Sequence, residues 1–499
     1  MELIESSSHL LSWLIFIPLI GAALMFITPG EENQRRLAFV VTTFNALLSL
    51  KLWNGFDAST AALQFGERVS WIPSLNIEYA LGVDGISLLL VMLTTFIMPL
   101  CVLGSWTYIT KRVKEFMICL LVMETAMVGV FCALDFVLFY VLWEMMLIPM
   151  YLLIGVWGGP RKKYASIKFF LYTLAGSVML LVAIIALYLW NGQHTWYIPD
   201  LMSQPYSMTF QVWVFMAFFL AFAIKVPMFP FHTWLPAAHV EAPGAGSVIL
   251  ASVLLKMGTY GFLRFCLPIT PDATLAIGPY MLWLSIAGIL YGGFTALAQS
   301  DMKKLIAYSS VGHMGFVTLG IFVLNQNGVE GAIIQMVNHG ITTGALFLMI
   351  GMIYERTHSR EIKDHSGLAY NLPIFVTFIT IFSLSSLAFP ATNSFIGEFL
   401  ILAGGFSHNK IIAGAAVPGA ILAAAYMLRL LQYVLFKGEG RPDISDLNFR
   451  ETMTLVPLLI FVFWIGLSPE PFMNVMHTSV EFLLAQVHSS QAVAALALP

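Results

Sequence analysis

Six ionisable side chains lie within otherwise apolar stretches of the sequence, where charge is expensive to bury. In chain order they are Glu144 in VLWEMML, Lys225 in FAIKVPM, Lys256 in LLKMGTY, His313 in VGHMGF, His339 in VNHGITT and Glu398 in IGEFL. A charged residue at the centre of a membrane helix costs roughly 2.5–3.5 kcal/mol on insertion scales. We therefore expect these six residues to be functional or paired.

The chemistry that these residue types share is the binding and release of protons. Burial disfavours the charged form of a lysine, whereas a nearby carboxylate stabilises it. The sequence therefore predicts that Glu144 acts as a switch, which decides whether Lys225 holds or releases its proton. The alternative is that Glu144 and Lys225 only neutralise each other as a brace between helices.

The remaining four residues suit a lateral relay. Histidine titrates near neutral pH and has two ring nitrogens, so His313 and His339 can pass a proton between neighbours. We expect Lys256 to lie in the same relay and Glu398 to form its far end. The alternative for the histidines is a hydrogen bond between helices. Lys168 and Arg429 also lie in apolar spans, and for them snorkelling to an interface is the favoured explanation.

Prolines adjoin two of the titratable residues and predict broken helices. Pro227 and Pro230 follow Lys225, and Pro390 precedes Glu398. A break frees backbone carbonyls that can bind water or an ammonium group. Transporters built from inverted repeats often carry such broken helices at matching positions in their two halves. The alternative is an ordinary proline kink.

Composition requires a membrane protein with helical spans. The 499 residues are 59% hydrophobic and 10% charged, whereas soluble chains carry about 25% charged residues. Apolar stretches of about 20 residues can each cross a bilayer as a helix. We predict an all-α membrane protein with about fourteen spans, including broken spans 7 and 12. The predicted limits are 10–28, 37–55, 86–108, 116–133, 136–157, 166–190, 211–231, 245–268, 275–299, 305–324, 331–354, 372–404, 411–436 and 453–469.

The loop charges set the expected topology. Sixteen of the 24 Lys and Arg residues follow odd-numbered spans. By the positive-inside rule, odd loops are then cytoplasmic and both termini lie on the outer, periplasmic side of a bacterial inner membrane. We expect an N-terminal three-helix segment with an outer loop over 1–115. Two inverted five-helix repeats are expected over 116–270 (spans 4–8) and 271–437 (spans 9–13), followed by a C-terminal helix and tail over 438–499.

Several functions are disfavoured by what the sequence lacks. The four cysteines include no CxxC pair, which argues against iron–sulfur clusters, zinc and a disulfide framework. No GxGxxG or P-loop motif occurs, and the one long outer segment, about 56–85, is too small for a nucleotide or flavin domain. The net charge of −3 offers no basic surface for nucleic acid. We expect no cofactor and no metal in this chain.

The motifs that carry the titratable residues resemble a known family. LWEMMLIPMYLLIGVWG, FAIKVPMFPFHTWLP, LLKMGTYGFLRF, DMKKLIAYSSVGHMGF and NHGITTGALFLMIGMIYERTHSR are similar to the antiporter-like membrane subunits of NADH:quinone oxidoreductase, respiratory complex I. The resemblance covers spans 3–14. It implies fourteen helices, two inverted repeats and a polar axis in which Glu144, Lys225, Lys256 and Glu398 are the essential channel residues.

The resemblance also implies partners and a subtype. It places FMN, iron–sulfur clusters and quinone in partner subunits, with neighbouring antiporter-like subunits of the chain 2 and chain 5 type and membrane lipid around this chain. Glu398, where sister subunits tend to carry lysine, and the short segment after span 14 favour the subunit M or chain 4 type. Two positions depart from the family pattern. Ala237 replaces an aspartate, and Gly312 replaces a serine and is expected to widen a water path.

Two other functions remain open at this point. One is a subunit of an Mrp-type Na⁺/H⁺ antiporter or of an energy-converting hydrogenase, which the neighbouring reading frames would distinguish. The other is a structural anchor without a role in proton transfer, which would leave Lys225 dispensable for pumping.

Overall fold

The helices of this chain are long enough and apolar enough to cross a membrane many times. The computed structural model describes residues 2–192, 194–438 and 443–496. Within these ranges twelve helices meet the length and apolarity of a membrane span, or thirteen if Ile362–Tyr370 and Pro373–Ser386, bent by 115°, count as one. The prediction of a helical membrane protein is confirmed, and the fourteen predicted spans exceed this count by one or two.

The helices follow one another along the chain, most of them with short connections. Their bounds are α1 Leu10–Leu24, α2 Glu31–Gly55, α3 Gly85–Gly104, α4 Val113–Cys132, α5 Phe136–Met145, α6 Leu147–Trp157, α7 Lys162–Leu189, α8 Ile198–Met202, α9 Met208–Lys225, α10 Trp234–Glu241, α11 Gly244–Ile249, α12 Leu255–Gly261, α13 Leu267–Ile269, α14 Pro271–Leu297, α15 Met302–Phe322, α16 Gln326–Thr357, α17 Pro373–Ser386, α18 Asn393–His408, α19 Lys410–Leu431, α20 Phe449–Leu467 and α21 Glu470–Leu496. Three π-helical segments, Leu250–Leu254, Phe262–Cys266 and Gln432–Phe436, interrupt or extend them.

The long segment between α2 and α3 supplies two strands of a small sheet that was not predicted from the sequence, and the residues before α1 supply the third. Strands β1 (Leu3–Glu5), β2 (Leu63–Ile72) and β3 (Ile77–Val83) are joined in that order, parallel and then antiparallel. The sheet places Glu67 at the start of α1, where its carboxylate accepts from the amides of Leu11 at 2.9 Å and Ser12 at 3.1 Å. A carboxylate suits that position because the first amides of a helix have no partner within it.

The tail expected after span 14 is instead a helix. Within the described part of 438–499, which excludes 439–442 and 497–499, α21 follows α20 and packs on α3 and α16. The contact is close at Gly85, where a Cβ atom would lie 2.0 Å from the Val475 carbonyl oxygen, and the Gly85 amide donates to Ser479 Oγ at 3.0 Å. The C-terminal helix α21 therefore packs against α3, far away along the chain.

Helix α2 turns its polar face toward the protein and its apolar face outward. The buried positions recur at helical spacing: Gln34, Ala38, Thr42, Asn45, Ser49 and Leu52. Val40, Phe44 and Leu47 are exposed. This reversal of the usual pattern fits a membrane protein, because lipid accepts apolar side chains and polar groups must find partners inside.

The two halves of the chain contain matching backbone features. Asp135 caps α5 through the amides of Val137 and Leu138, and Asp301 caps α15 through those of Lys303 and Lys304. Each aspartate also forms an isolated antiparallel bridge to the segment preceding the later broken helix, with Tyr197 in the first half and Glu361 in the second. The same local structure therefore recurs about 165 residues apart along the chain.

Gly312 points toward a neighbouring helix. A Cβ at this position would meet the Ile289 carbonyl oxygen of α14 at 3.5 Å, which is ordinary contact. The expectation that Gly312 widens a water path beside His313 is therefore not supported by its orientation. A small side chain fits there against α14.

Glycines allow α16 and α18 to approach closely. A Cβ on Gly404 would lie 2.5 Å from the Gly328 amide nitrogen, and one on Gly397 would lie 2.4 Å from Gln335 Oε1. Close backbone approach of this kind is typical of helix pairs in membranes, where small residues line the interface. Here it sets the distance between the helices that carry His339 and Glu398.

We predict that Gly404→Ala weakens this interface and that the adjacent Gly405→Ala does not. The Gly404 Cβ would collide with backbone, whereas a Cβ on Gly405 meets only Ala413 at 3.8 Å. Overpacking of this kind costs roughly 1–3 kcal/mol. The thermal midpoint of the purified assembly should fall for Gly404→Ala only, and equal midpoints for the two variants would contradict the packing argument.

Candidate proton-transfer site

Lys256 is fully buried and contacts a histidine from another helix. Its Nζ lies 2.7 Å from His339 Nδ1 and donates to the Ala251 carbonyl oxygen. Ala251 belongs to the π-helical segment Leu250–Leu254 that precedes α12. Such a segment shifts the helical hydrogen bonds out of register and can leave a carbonyl for a side chain, and π turns are frequent at functional sites.

His313 and Glu398 form the second buried contact. His313 Nδ1 lies 2.9 Å from Glu398 Oε1, which also accepts from Gln335 Nε2 at 3.2 Å. The side chains of His313 and Glu398 are 5% and 3% exposed. On its other side, His313 Nε2 lies 3.4 Å from both Ser386 Oγ and Tyr426 Oη.

The two histidines join these contacts into one row. The rings of His313 and His339 have centroids 5.7 Å apart at an angle of 61°. The order along the row is Lys256, His339, His313 and Glu398. His339 Nε2 and Glu398 Oε2 are buried and have no hydrogen-bond partner among the described residues. Both atoms are therefore available for a proton or a water molecule.

Lys225 lies at the end of α9 in a different environment. Its Nζ is 3.5 Å from Met146 Sδ and 4.8 Å from the centre of the Trp143 ring. The described residues place no carboxylate within 4.0 Å of it, although Glu144 is close enough to interact through its charge. Glu144 is partly exposed at the end of α5, and its Oε1 is buried without a partner. The two residues are neighbours without a direct ion pair.

The backbone is interrupted next to Lys225 and next to Glu398. Helix α9 ends at Lys225, the segment with Pro227 and Pro230 is not helical, and α10 begins at Trp234. The Trp234 indole N–H donates to the Ile224 carbonyl at 2.8 Å, which satisfies one freed acceptor. In the second half, α17 ends at Ser386 and α18 begins at Asn393, with Pro390 between them.

Polar residues of α16 hold the second break. Asn338 Nδ2 donates to the Asn393 carbonyl at 2.7 Å, and Thr342 Oγ1 lies 2.7 Å from Ser385 Oγ. Ser385 in turn donates to Asn393 Oδ1 at 2.6 Å. These contacts fix both half-helices against the helix that carries His339.

Two buried features were not predicted from the sequence: one carboxyl group and one ion pair. Glu124 lies in the apolar stretch of α4, is fully buried, and accepts from Asn45 Nδ2 at 2.8 Å. Its place in the apolar run MICLLVMETAMVGVFC is the same signal that marks the other titratable residues. Arg264 pairs with Asp84 at 2.7 Å, and both side chains are less than 10% exposed. No sequence signal marks that pair, because each residue lies near the end of a helix and the two are far apart along the chain.

Lys168 and Arg429, for which snorkelling was the favoured explanation, each contact groups close to them. Lys168 lies over the rings of Tyr164 and Tyr172, and Arg429 donates to the Leu297 carbonyl. In the described ranges no three His, Cys, Asp or Glu side chains are grouped as metal ligands would be. The four cysteines are buried and unpaired.

Together, the apolar spans, broken helices and buried titratable row define the class of antiporter-like membrane proteins. The family model described as NADH:quinone oxidoreductase/Mrp antiporter, transmembrane region, matches residues 133–423. A second family model, NADH-ubiquinone oxidoreductase chain 4, amino terminus, matches residues 13–130.

Comparison with individual proteins gives the particular family. NADH-quinone oxidoreductase subunit M of Rhodobacter capsulatus is 46% identical over 503 residues, covering 96% of this chain and 97% of that protein. NADH-ubiquinone oxidoreductase chain 4 of Arabidopsis thaliana is 46% identical over 481 residues, covering 95% and 97%. A chain in the structure of respiratory complex I from Thermus thermophilus with bound NADH is 31% identical with a TM-score of 0.89, covering 96% and 99%. The chain belongs to the antiporter-like membrane subunit family of NADH:quinone oxidoreductase, of the subunit M or chain 4 type.

We predict that Glu398→Ala destabilises the assembly more than Glu398→Gln. Alanine removes the acceptor of two buried donors, each worth roughly 1–3 kcal/mol when left unpaired. Glutamine retains an oxygen that His313 and Gln335 can reach. Thermal unfolding of the two purified variants measures the difference. Equal midpoints would show that the hydrogen bonds at Glu398 Oε1 do not contribute to stability.

Proposed function

We propose that this chain is a proton-translocating subunit of NADH:quinone oxidoreductase, which conducts protons along a buried Glu/Lys/His axis while quinone is reduced in other subunits. The observation that carries the proposal is the row from Lys256 through His339 and His313 to Glu398, with contacts of 2.7 and 2.9 Å at its ends. Membership of the family supports it, because the matching family model includes both this oxidoreductase and the Mrp antiporters.

Each residue has a distinct proposed part. Glu144 is the switch and Lys225 the gated proton holder, since the two interact through charge, while Lys225 Nζ contacts a thioether and an indole ring and has no carboxylate within 4.0 Å among the described residues. A shift of Glu144 toward or away from Lys225 would change how strongly the ammonium is stabilised. Lys256, His339 and His313 form the relay. Glu398 is the outward end, and its unpartnered Oε2 offers the site from which a proton leaves.

The chain is further proposed to have fourteen spans and two inverted five-helix repeats. Helix α1 and the broken pair α17–α18 would complete the count beyond the twelve long helices. The units are those expected from the sequence, 1–115, 116–270, 271–437 and 438–499. Support comes from the matching aspartate caps and bridges in the two halves. The break falls in the fourth span of each proposed repeat, between α9 and α10 and between α17 and α18. A π-helical segment falls in the fifth span of each, within α11–α13 and at the end of α19.

The surroundings follow from the same proposal. The chain lies in the inner membrane of a bacterial cell with both termini on the periplasmic side, which the loop cations support through the positive-inside rule. FMN, iron–sulfur clusters and quinone bind in partner subunits, and this chain contributes to the enzyme as a translocase without its own redox centre. Antiporter-like subunits of the chain 2 and chain 5 type are its neighbours in the membrane.

A second candidate function is a subunit of an Mrp-type Na⁺/H⁺ antiporter or of an energy-converting hydrogenase. The match of residues 13–130 to the chain 4 amino terminus favours the oxidoreductase over both. A structural anchor is the third reading, and the buried row argues against it, because an anchor gains nothing from four titratable groups that could be apolar.

We predict that Lys225→Met abolishes proton translocation without preventing assembly. Methionine fills the same apolar contact with Met146 and Trp143 but cannot bind a proton. Inverted membrane vesicles supplied with NADH should acidify at a rate lower by an order of magnitude or more. Lys410→Ala is the control, since Lys410 is exposed at the start of α19. An assembled Lys225→Met enzyme that pumps like wild type would support the anchor.

We also predict that Lys256→Met stops pumping while Thr259→Val on the same helix does not. Lys256 contacts the row through His339, whereas Thr259 Oγ1 contacts the Lys256 carbonyl and Met336 Sδ and lies outside the row. The same vesicle assay, with the NADH oxidation rate recorded in parallel, separates loss of translocation from loss of the enzyme. Equal pumping by both variants would exclude Lys256 from the path.

A further inference from the structure

Glu124 is a buried carboxyl group that the proposed axis does not use. It lies near the middle of α4 and is 0% exposed. Its Oε1 accepts a hydrogen bond from Asn45 Nδ2 at 2.8 Å, and the same amide nitrogen donates to the Leu14 carbonyl at 3.1 Å. The contact joins α4 to α2 and α1. The helices that carry Lys256, His313 and Glu398 take no part in this contact.

The second oxygen of Glu124 has no partner. Glu124 Oε2 is buried and makes no hydrogen bond within the described ranges. One more buried oxygen without a partner belongs to the same pair of side chains, Asn45 Oδ1. Buried polar atoms are nearly always hydrogen-bonded in folded proteins. Two unpartnered oxygens in one pair of side chains, neither of which carries a hydrogen of its own, indicate that a proton donor is missing at this contact.

Glu124 also differs from the other buried carboxyl groups in its partners. Each of the others described has an arginine or histidine, or a set of backbone amides, against its oxygens. They are Glu67, Asp84, Asp135, Glu241, Asp301, Glu330, Glu398 and Glu451. Across the described chain, no Lys, Arg or His lies within 4.0 Å of Glu124. The titratable group that faces it is the thiol of Cys101 on α3.

An unpaired carboxylate is very unfavourable in such a place. The low polarity of the surroundings raises the free energy of the charged form, and one hydrogen bond from a neutral amide does not offset that. A neutral carboxyl group avoids the charge and supplies the missing donor. We propose that Glu124 is a proton-binding site, occupied at neutral pH, in which the proton is held on Oε2. The ligand of this site is a proton, and binding converts the carboxylate into a neutral acid.

The inward face of α2 provides polar groups along the way to this site. Gln34, Thr42, Asn45 and Ser49 lie on that face, and Ser49 Oγ is 2.8 Å from Thr95 Oγ1 of α3. Gln34 belongs to the end of α2 that bears Arg35 and Arg36. This row of polar residues on α2 runs from that end to Asn45, which contacts Glu124, and beyond it to Ser49. A proton that exchanges with the site therefore has hydroxyl and amide groups along its way.

Infrared spectroscopy of the purified assembly tests the proposal, because the two forms of the group absorb differently. At neutral pH, the wild-type spectrum should contain the carbonyl band of a protonated carboxyl group that the spectrum of Glu124→Gln lacks. In D₂O the wild-type band should shift. Glu32→Gln is the matched control. Glu32 is exposed and lies 3.2 Å from Arg36, so this change should remove carboxylate bands only.

A second variant keeps the test independent of the first. Asn45→Ala removes the donor to Glu124 Oε1 and should move the protonated carbonyl band to higher frequency without removing it. The proposal is overturned if Glu124→Gln instead removes the symmetric and antisymmetric stretching bands of an ionised carboxylate. It is also overturned if the protonated carbonyl band is unchanged in position and intensity in Asn45→Ala.

Discussion

A lysine in the middle of a membrane needs hydrogen-bond acceptors, and a regular α-helix has none to spare. The ladder of backbone hydrogen bonds uses every carbonyl except those at the end of the helix. In this protein Lys256 finds its backbone acceptor in Ala251, within the π-helical segment that precedes α12. Lys225 stands where α9 ends, and its Nζ contacts Met146 Sδ and the Trp143 ring. The irregular backbone therefore supplies an acceptor to Lys256, whereas Lys225 is held by side chains.

Helix α16 is the element on which the row depends. Within eight residues it carries Gln335, Asn338, His339 and Thr342. These side chains contact Glu398, the break before α18, Lys256 and the end of α17 in turn. The glycines at the α16–α18 contact bring the two backbones close enough for Gln335 to reach Glu398. Small residues and amide side chains thus set the geometry of the titratable groups without titrating themselves.

The buried charges of the chain are balanced in two different ways. Arg264 and Asp84 form a direct pair, which joins the start of α3 to the π-helical segment Phe262–Cys266. In the row the titratable groups meet each other through hydrogen bonds that depend on which partner holds the proton. Fixed pairs suit a scaffold, because removing one partner leaves an uncompensated charge. Adjustable contacts suit groups whose protonation changes.

The sequence by itself determined the membrane class, the approximate spans, the family and the six titratable residues within apolar spans, five of which the structure buries. These follow from apolar length, from the scarcity of charge within spans and from motifs, all of which are local. Glu124 was equally visible and was overlooked. Only the tertiary structure decided that Lys225 contacts Met146 and Trp143 and makes no ion pair with Glu144. It also decided that α2 turns its polar face inward, that residues 63–72 and 77–83 form strands, and that α21 packs against α3. Those features depend on which helix faces which, and that information lies in contacts between residues far apart in the chain.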